Sequence, residues 1–230
     1  MRNLFLLTAL ILSTGNAWAN VVINGTRIIY PEKNKEVIVQ LVNNGDDPSL
    51  VQSWIDDGDI NSTPETANVP FMLSPPVVKV SGHNGQQLRI KKLSADLPRD
   101  RESVFFLNVL DIPPTPENMQ NLNTVQLAIK SRIKLFYRPA GIVNSVDKAT
   151  ASLKLYANGK SFTIENKSPL HITLANIEQN KVKLLDDSPM VAPFANTKIA
   201  SKKVTTKGQA YQVIYIDDLG AYKTLSVTAE

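Results

Sequence analysis

Cysteine is missing from all 230 residues, which removes disulfides, thiolate nucleophiles and cysteine zinc sites together. Histidine occurs only as His83 and His171. One sits in a turn-forming stretch and the other at a strand start, with no further ligands spaced around either. Both read as surface or hydrogen-bonded side chains, and no metal is expected. Asp57, Asp59 and Asn61 imitate the opening of a calcium loop. Its sixth position is Ser62 where glycine is needed, and its twelfth is Asn68 where a bidentate glutamate is needed. There is no Gly-x-Ser-x-Gly elbow, phosphate-cradling glycine loop or dinucleotide fingerprint. An enzyme and a bound cofactor are both left without residues to rest on. No apolar run reaches the roughly 20 residues that cross a bilayer.

What is present begins with an export signal. Arg2 is followed by the apolar run Leu4 to Leu12, and Ala17-Trp18-Ala19 supplies a small-x-small cleavage pattern. Residues 1–19 are expected to be removed, and the mature chain to act outside the cytoplasm, in the periplasm once the resemblance below is taken in. The 25 Lys and Arg against 21 Asp and Glu give +4. A mildly basic exported protein suits carboxylates or acidic surfaces, and nucleic acid is not an expected partner there.

The rest reads as short strands between clusters of turn formers. In the first half these are Asn20 to Ile29, Val37 to Val42, Leu50 to Ile55, Val77 to Val80, Gln87 to Lys91, Ser103 to Leu110 and Thr124 to Arg138. Trp54 is expected to fill a core. After Pro139-Ala140-Gly141 the same rhythm returns at Ser152 to Tyr156, Phe162 to Glu165, His171 to Ile177, Lys181 to Leu185, Tyr211 to Ile216 and Leu225 to Thr228. Helical periodicity is nearly absent. The pattern predicts an all-β chain of two antiparallel sandwiches, residues 20–141 and 142–230.

The stretch from Leu122 to Pro139 stands apart. Val125, Leu127 and Ile129 share one parity and Gln126, Ala128 and Lys130 the other, as in a strand with one apolar face. It then turns basic through Lys130, Arg132, Lys134 and Arg138. Either this is a buried strand whose lysines reach solvent, or it is an edge strand meant for another chain, since an exposed apolar edge invites pairing.

Leu97-Pro98-Arg99-Asp100-Arg101-Glu102-Ser103, continuing through Val104 to Ile112-Pro113-Pro114, resembles the signature segment of periplasmic pilus chaperones. Ile133 to Pro139 resembles the last strand of that family's first domain. Asn24-Gly25-Thr26-Arg27 resembles its first strand, and Ile216-Asp217-Asp218-Leu219-Gly220 a motif of its second domain. The short connection from Pro114 to Thr124 is similar to the short-loop branch. The resemblance implies two immunoglobulin-like domains in an L with a cleft, and a non-enzymatic chaperone without cofactor. Its partners would be pilin subunits and an outer-membrane usher, with self-association of the free protein as a further expectation. The Val125, Leu127, Ile129 row is implied to complete an unfinished subunit by donor-strand complementation. Arg27 and Lys134 are implied to anchor the subunit's C-terminal carboxylate, and Glu102, Arg138 and Asp218 to set the domain angle. Lys134 has the opposite parity to the apolar row; a bulge or strong twist between Ile129 and Lys134 would reconcile the two. The rival is an exported sandwich adhesin, or a protein that binds carbohydrate or a receptor, which should carry clustered aromatics on its loops.

Overall fold

A computed structural model describes residues 20–115, 126–142 and 145–230. The first sandwich is built from β1 (Val21–Ile23), β2 (Arg27–Pro31), β3 (Val37–Asn43), β4 (Ser49–Asp56), β5 (Phe71–Ser74), β6 (Val77–Val80), β7 (Gly85–Lys92), β8 (Ser103–Ile112) and β9 (Ile129–Arg138). One sheet has the order β1-β3-β7-β5 and the other β2-β9-β8-β4-β6. Alternate residues of each strand point between the sheets, as the period of two requires. Val39, Leu41, Val51, Ile55, Leu88, Ile90, Leu107, Val109 and Leu135 meet there in one core.

The single strand expected over 20–29 is two strands in different sheets. β1 pairs antiparallel with β3, whereas β2 pairs parallel with β9. The chain changes sheets at Asn24-Gly25-Thr26, where Gly25 has φ of 131°, a conformation that a Cβ would oppose.

The expected strand from Thr124 begins only at Ile129. Gln126 to Ala128 are irregular, and Val125 lies outside the described residues. Its register with β8 is continuous from Ser103↔Tyr137 to Asp111↔Ile129, so there is no bulge. Ile133, Leu135 and Tyr137 face the core, and Arg132, Lys134, Phe136 and Arg138 face outward. Within β9 the cations lie on the face opposite to that of Ile129, the one member of the apolar row inside the strand.

Trp54 is also placed differently from expectation. It is buried but lies outside the core, on the outer face opposite Asn108, with Lys130 Nζ 5.9 Å from its ring centroid. Val51, Ser53 and Ile55 form the inward row. That row contains a serine, so it is less apolar than size alone would favour.

The second sandwich has α1 (Val146–Thr150), β10 (Lys154–Ala157), β11 (Ser161–Glu165), β12 (Ile172–Gln179), β13 (Val182–Lys183), β14 (Met190–Val191), β15 (Asn196–Ala200), β16 (Ala210–Ile216) and β17 (Tyr222–Thr228). β10-β11-β15 form one sheet, and β13-β12-β16-β17 the other, with β14 also on β12. Its core, centred on Leu155, Phe162, Ile164, Leu174, Ile177 and Val213, is separate from the first.

Candidate functional site: an open strand edge beside a cationic cleft

β9 pairs with β8 from Ile129 to Tyr137, but with β2 only from Lys134 to Arg138. Among the described residues, no strand lies on the second edge of Ile129–Ile133. The reason is the sheet change at Gly25: the chain joins this sheet only at Arg27. The chain leading into this edge is exposed, with Leu127 74% and Ile129 47% exposed.

The open edge ends at two cations. Arg27 and Lys134 are direct register partners across the β2–β9 pairing. Arg27 donates from Nη1 to the Ile216 carbonyl at 3.1 Å, and its guanidinium lies 5.9 Å from the Phe136 ring centroid. Its Nε is buried with no hydrogen-bond partner among the described residues. Burial pushes its pKa below the ordinary value, against the opposing pull of Asp218, Asp217 and Glu102. Burial also lowers the pKa of Lys134, and the neighbouring Arg27 charge lowers it further. Among the described residues, Lys134 has no hydrogen bond or ion pair. Two adjacent, half-buried cations, neither of them in an ion pair among the described residues, form a site for an anion.

They lie in a cleft of about 370 Å³ between the domains. Thr26, Phe106, Arg132 and Ile133 line it from the first domain, and Ile216, Gly220 and Tyr222 from the second. Sequence reasoning assigned none of these seven to the site, although Arg132 stands in the basic stretch and Thr26, Ile133, Ile216 and Gly220 in the motifs that carry the resemblance. Lys130, Arg132 and Lys134 share one parity, and that spacing was the signal that could have placed Arg132 beside the anchor.

The second domain covers the same outer face further along β9. There Phe136 and Arg138 are buried, and Arg138 is held on both sides. Its Nε and Nη2 donate to Glu102 Oε1 at 3.1 and 2.9 Å. Its Nη1 and Nη2 donate to Asp218 Oδ2 and Oδ1 at 2.8 and 2.9 Å. Burial disfavours its charge, but these contacts outweigh that and raise its pKa. Glu102 Oε2 accepts from the His171 backbone N–H at 3.0 Å and lies 3.0 Å from His171 Nδ1. The Glu102 backbone N–H donates to the Pro169 carbonyl at 2.9 Å. The three charges expected to work together are together, and His171 joins them as a satisfied buried histidine.

The turn after β16 presses on the residue before Arg27. Gly220 has φ of 86°, and a methyl group on it would collide with the Thr26 hydroxyl. Gly220→Ala is therefore expected to cost at least about 1 kcal/mol from the left-handed backbone alone. A urea titration should show the loss, and an unchanged midpoint would mean the contact is slack.

Two sandwiches with a charged cleft and an unpaired strand edge define an immunoglobulin-like binding protein of the kind that takes up polypeptide along a sheet edge. Residues 20–143 match the pili and flagellar-assembly chaperone, PapD N-terminal domain, and residues 148–227 match the pili assembly chaperone PapD, C-terminal domain. The chain is 45% identical over 207 residues to the probable fimbrial chaperone YehC of Escherichia coli strain K12, covering 90% of this chain and 85% of that one. It is 40% identical over 234 residues to the chaperone protein MrkB of Klebsiella pneumoniae, covering 100% of both. The crystal structure of the Pseudomonas aeruginosa CupB2 chaperone superposes with a TM-score of 0.78 at 30% identity, covering 91% of this chain and 100% of that one. The protein belongs to the pilus assembly chaperone family.

Proposed function

We propose that this protein is a periplasmic, non-enzymatic chaperone that holds pilin subunits by lending them a strand, and passes them to an outer-membrane usher. Residues 1–19 act as the export signal, and the short connection from Pro114 to Thr124 fits the short-loop branch. The observation that carries the reading is the side-by-side placement of Arg27 and Lys134, neither in an ion pair among the described residues, where the open edge of β9 ends. A subunit strand laid along Ile129–Ile133 makes main-chain hydrogen bonds to that edge, and its last carboxylate meets the two cations. Val125, Leu127 and Ile129 then fill the subunit's apolar groove. Because β2 starts at Arg27 and runs parallel to β9, the bound strand is its end-to-end continuation. It points its C-terminus at Arg27 and is also parallel to β9.

Co-expression with candidate pilins, followed by co-purification from the periplasm, tests this; failure to recover any pilin with the intact chain would refute it. A second consequence concerns pH. A bound carboxylate favours the ammonium form of Lys134, so binding takes up a proton once the free lysine begins to deprotonate. Affinity should therefore fall as pH rises, beginning below the point set by the ordinary lysine value of 10.5. Lys134→Arg should flatten that fall, because a guanidinium stays charged. Calorimetric titration from neutral to alkaline pH checks both.

A further inference from the structure

Arg132 and Lys134 lie two residues apart on β9 and on the same face. Both line the cleft, so a bound carboxylate has two candidate partners. The apolar alternation cannot choose between them. A one-residue slip turns every side chain of a strand over, but a two-residue slip keeps them all on their proper face. The anchor alone separates the two registers, which differ by about 6.6 Å.

A buried carboxylate removes one candidate. Asp56, at the end of β4, is 2% exposed. It lies in the row that runs across the sheet from Arg27 through Lys134 and Phe106. It accepts from Arg132 Nη2, from Arg132 Nε at 3.3 Å, from Asn108 Nδ2, and from the Gly58 N–H at 2.7 Å. Burial alone would favour the acid form, but these donors outweigh it and the Asp56 pKa is lowered. Held this way, the Arg132 guanidinium lies 3.9 Å from the Phe106 ring centroid. Its charge is matched, and its Nε and Nη2 are both engaged by the Asp56 carboxylate. Lys134, next to that ring in register, has no such partner among the described residues.

Resting on the strand-lending reading above, we propose that Asp56 fixes the register of a bound strand by neutralising Arg132, so that the carboxylate settles on Lys134 and Arg27. Asp56 is a positioning residue and does not itself touch the bound chain.

The test uses the full mature chain. The probe is a synthetic peptide of about 14 alternating valines and threonines with a free carboxyl terminus and an amino-terminal fluorophore, and its amidated form is the control. Lys134→Ala should weaken the free-acid peptide at least about thirty-fold. Asp56→Asn added to Lys134→Ala should recover at least about ten-fold of that, because Arg132 is released. Arg132→Gln added to that pair should abolish the recovery. A purely structural role for Asp56 predicts no rescue. Recovery absent from a double variant with a native circular dichroism spectrum overturns the proposal. Should the Asp56 variants not fold, Lys134→Ala alone decides. If it still holds the peptide through its carboxylate, with a spin label showing a two-residue displacement, Arg132 was never silenced and the proposal is wrong. If amidation makes no difference to the intact chain, the strand-lending reading fails, and this inference fails with it. Sensitivity to amidation without rescue removes this inference alone.

Discussion

Lys134→Ala loses pilin capture while the protein melts no lower than the parent: that is the expected result of removing the ammonium at the end of the open edge. The two effects have opposite signs for one physical reason. Lys134 is half-buried beside Arg27 with no partner among the described residues, so its charge is unfavourable in the free protein. Once a carboxylate arrives, the same charge makes a desolvated ionic hydrogen bond. Truncating one partner of such a pair costs about 2–5 kcal/mol, a loss in affinity of roughly thirty-fold to several-thousand-fold. Arg27→Ala should weaken capture comparably. It is a less clean test of stability, because Arg27 also ties the domains together through the Ile216 carbonyl. Periplasmic co-purification and a thermal melt of the same preparation decide the matter. Capture that survives both substitutions would dismiss the anchor assignment.

Arg138→Ala should do the reverse and strike the fold first. It would leave Glu102, whose side chain is 1% exposed, and Asp218 facing one another without the guanidinium between them. Removing one member of a buried ionic group costs about 3–5 kcal/mol, and urea unfolding should register it. Replacing the whole set, as in Glu102→Gln/Arg138→Met/Asp218→Asn, should return most of the stability, because no buried charge is then left unpaired. The domain angle should still loosen, which small-angle scattering can follow. An Arg138→Ala variant as stable as the parent would mean that water already reaches this cluster.

Local pattern made much of the fold legible, because a strand's alternation is written in its own residues. β3, β4, β6, β7 and β8 fall within a few residues of expectation. β5 was missed because Phe71–Ser74 is short and runs straight into Pro75-Pro76. β15 was missed because Asn196–Ala200 alternates without a strongly apolar face. The sheet change at Gly25 depends on which sheet each half of a ten-residue stretch can join, and that is a property of the assembled sandwich. The cleft was less legible than the fold. The closeness of Arg27 and Lys134 comes from parallel pairing between distant segments, and in the sequence only a resemblance pointed to it. Asp56 stood beside a failed calcium loop and drew no notice. The parity of Lys134 looked like a conflict only while cations and apolar row were assumed to share a face.

Since β2 is laid down parallel to β9, any guest strand that continues its line inherits the same polarity. Parallel ladders are slightly weaker per residue than antiparallel ones. A subunit held this way is thus kept in a second-best pairing, and a competing strand of opposite direction, offered from outside, has a downhill route to replace it without any nucleotide being spent.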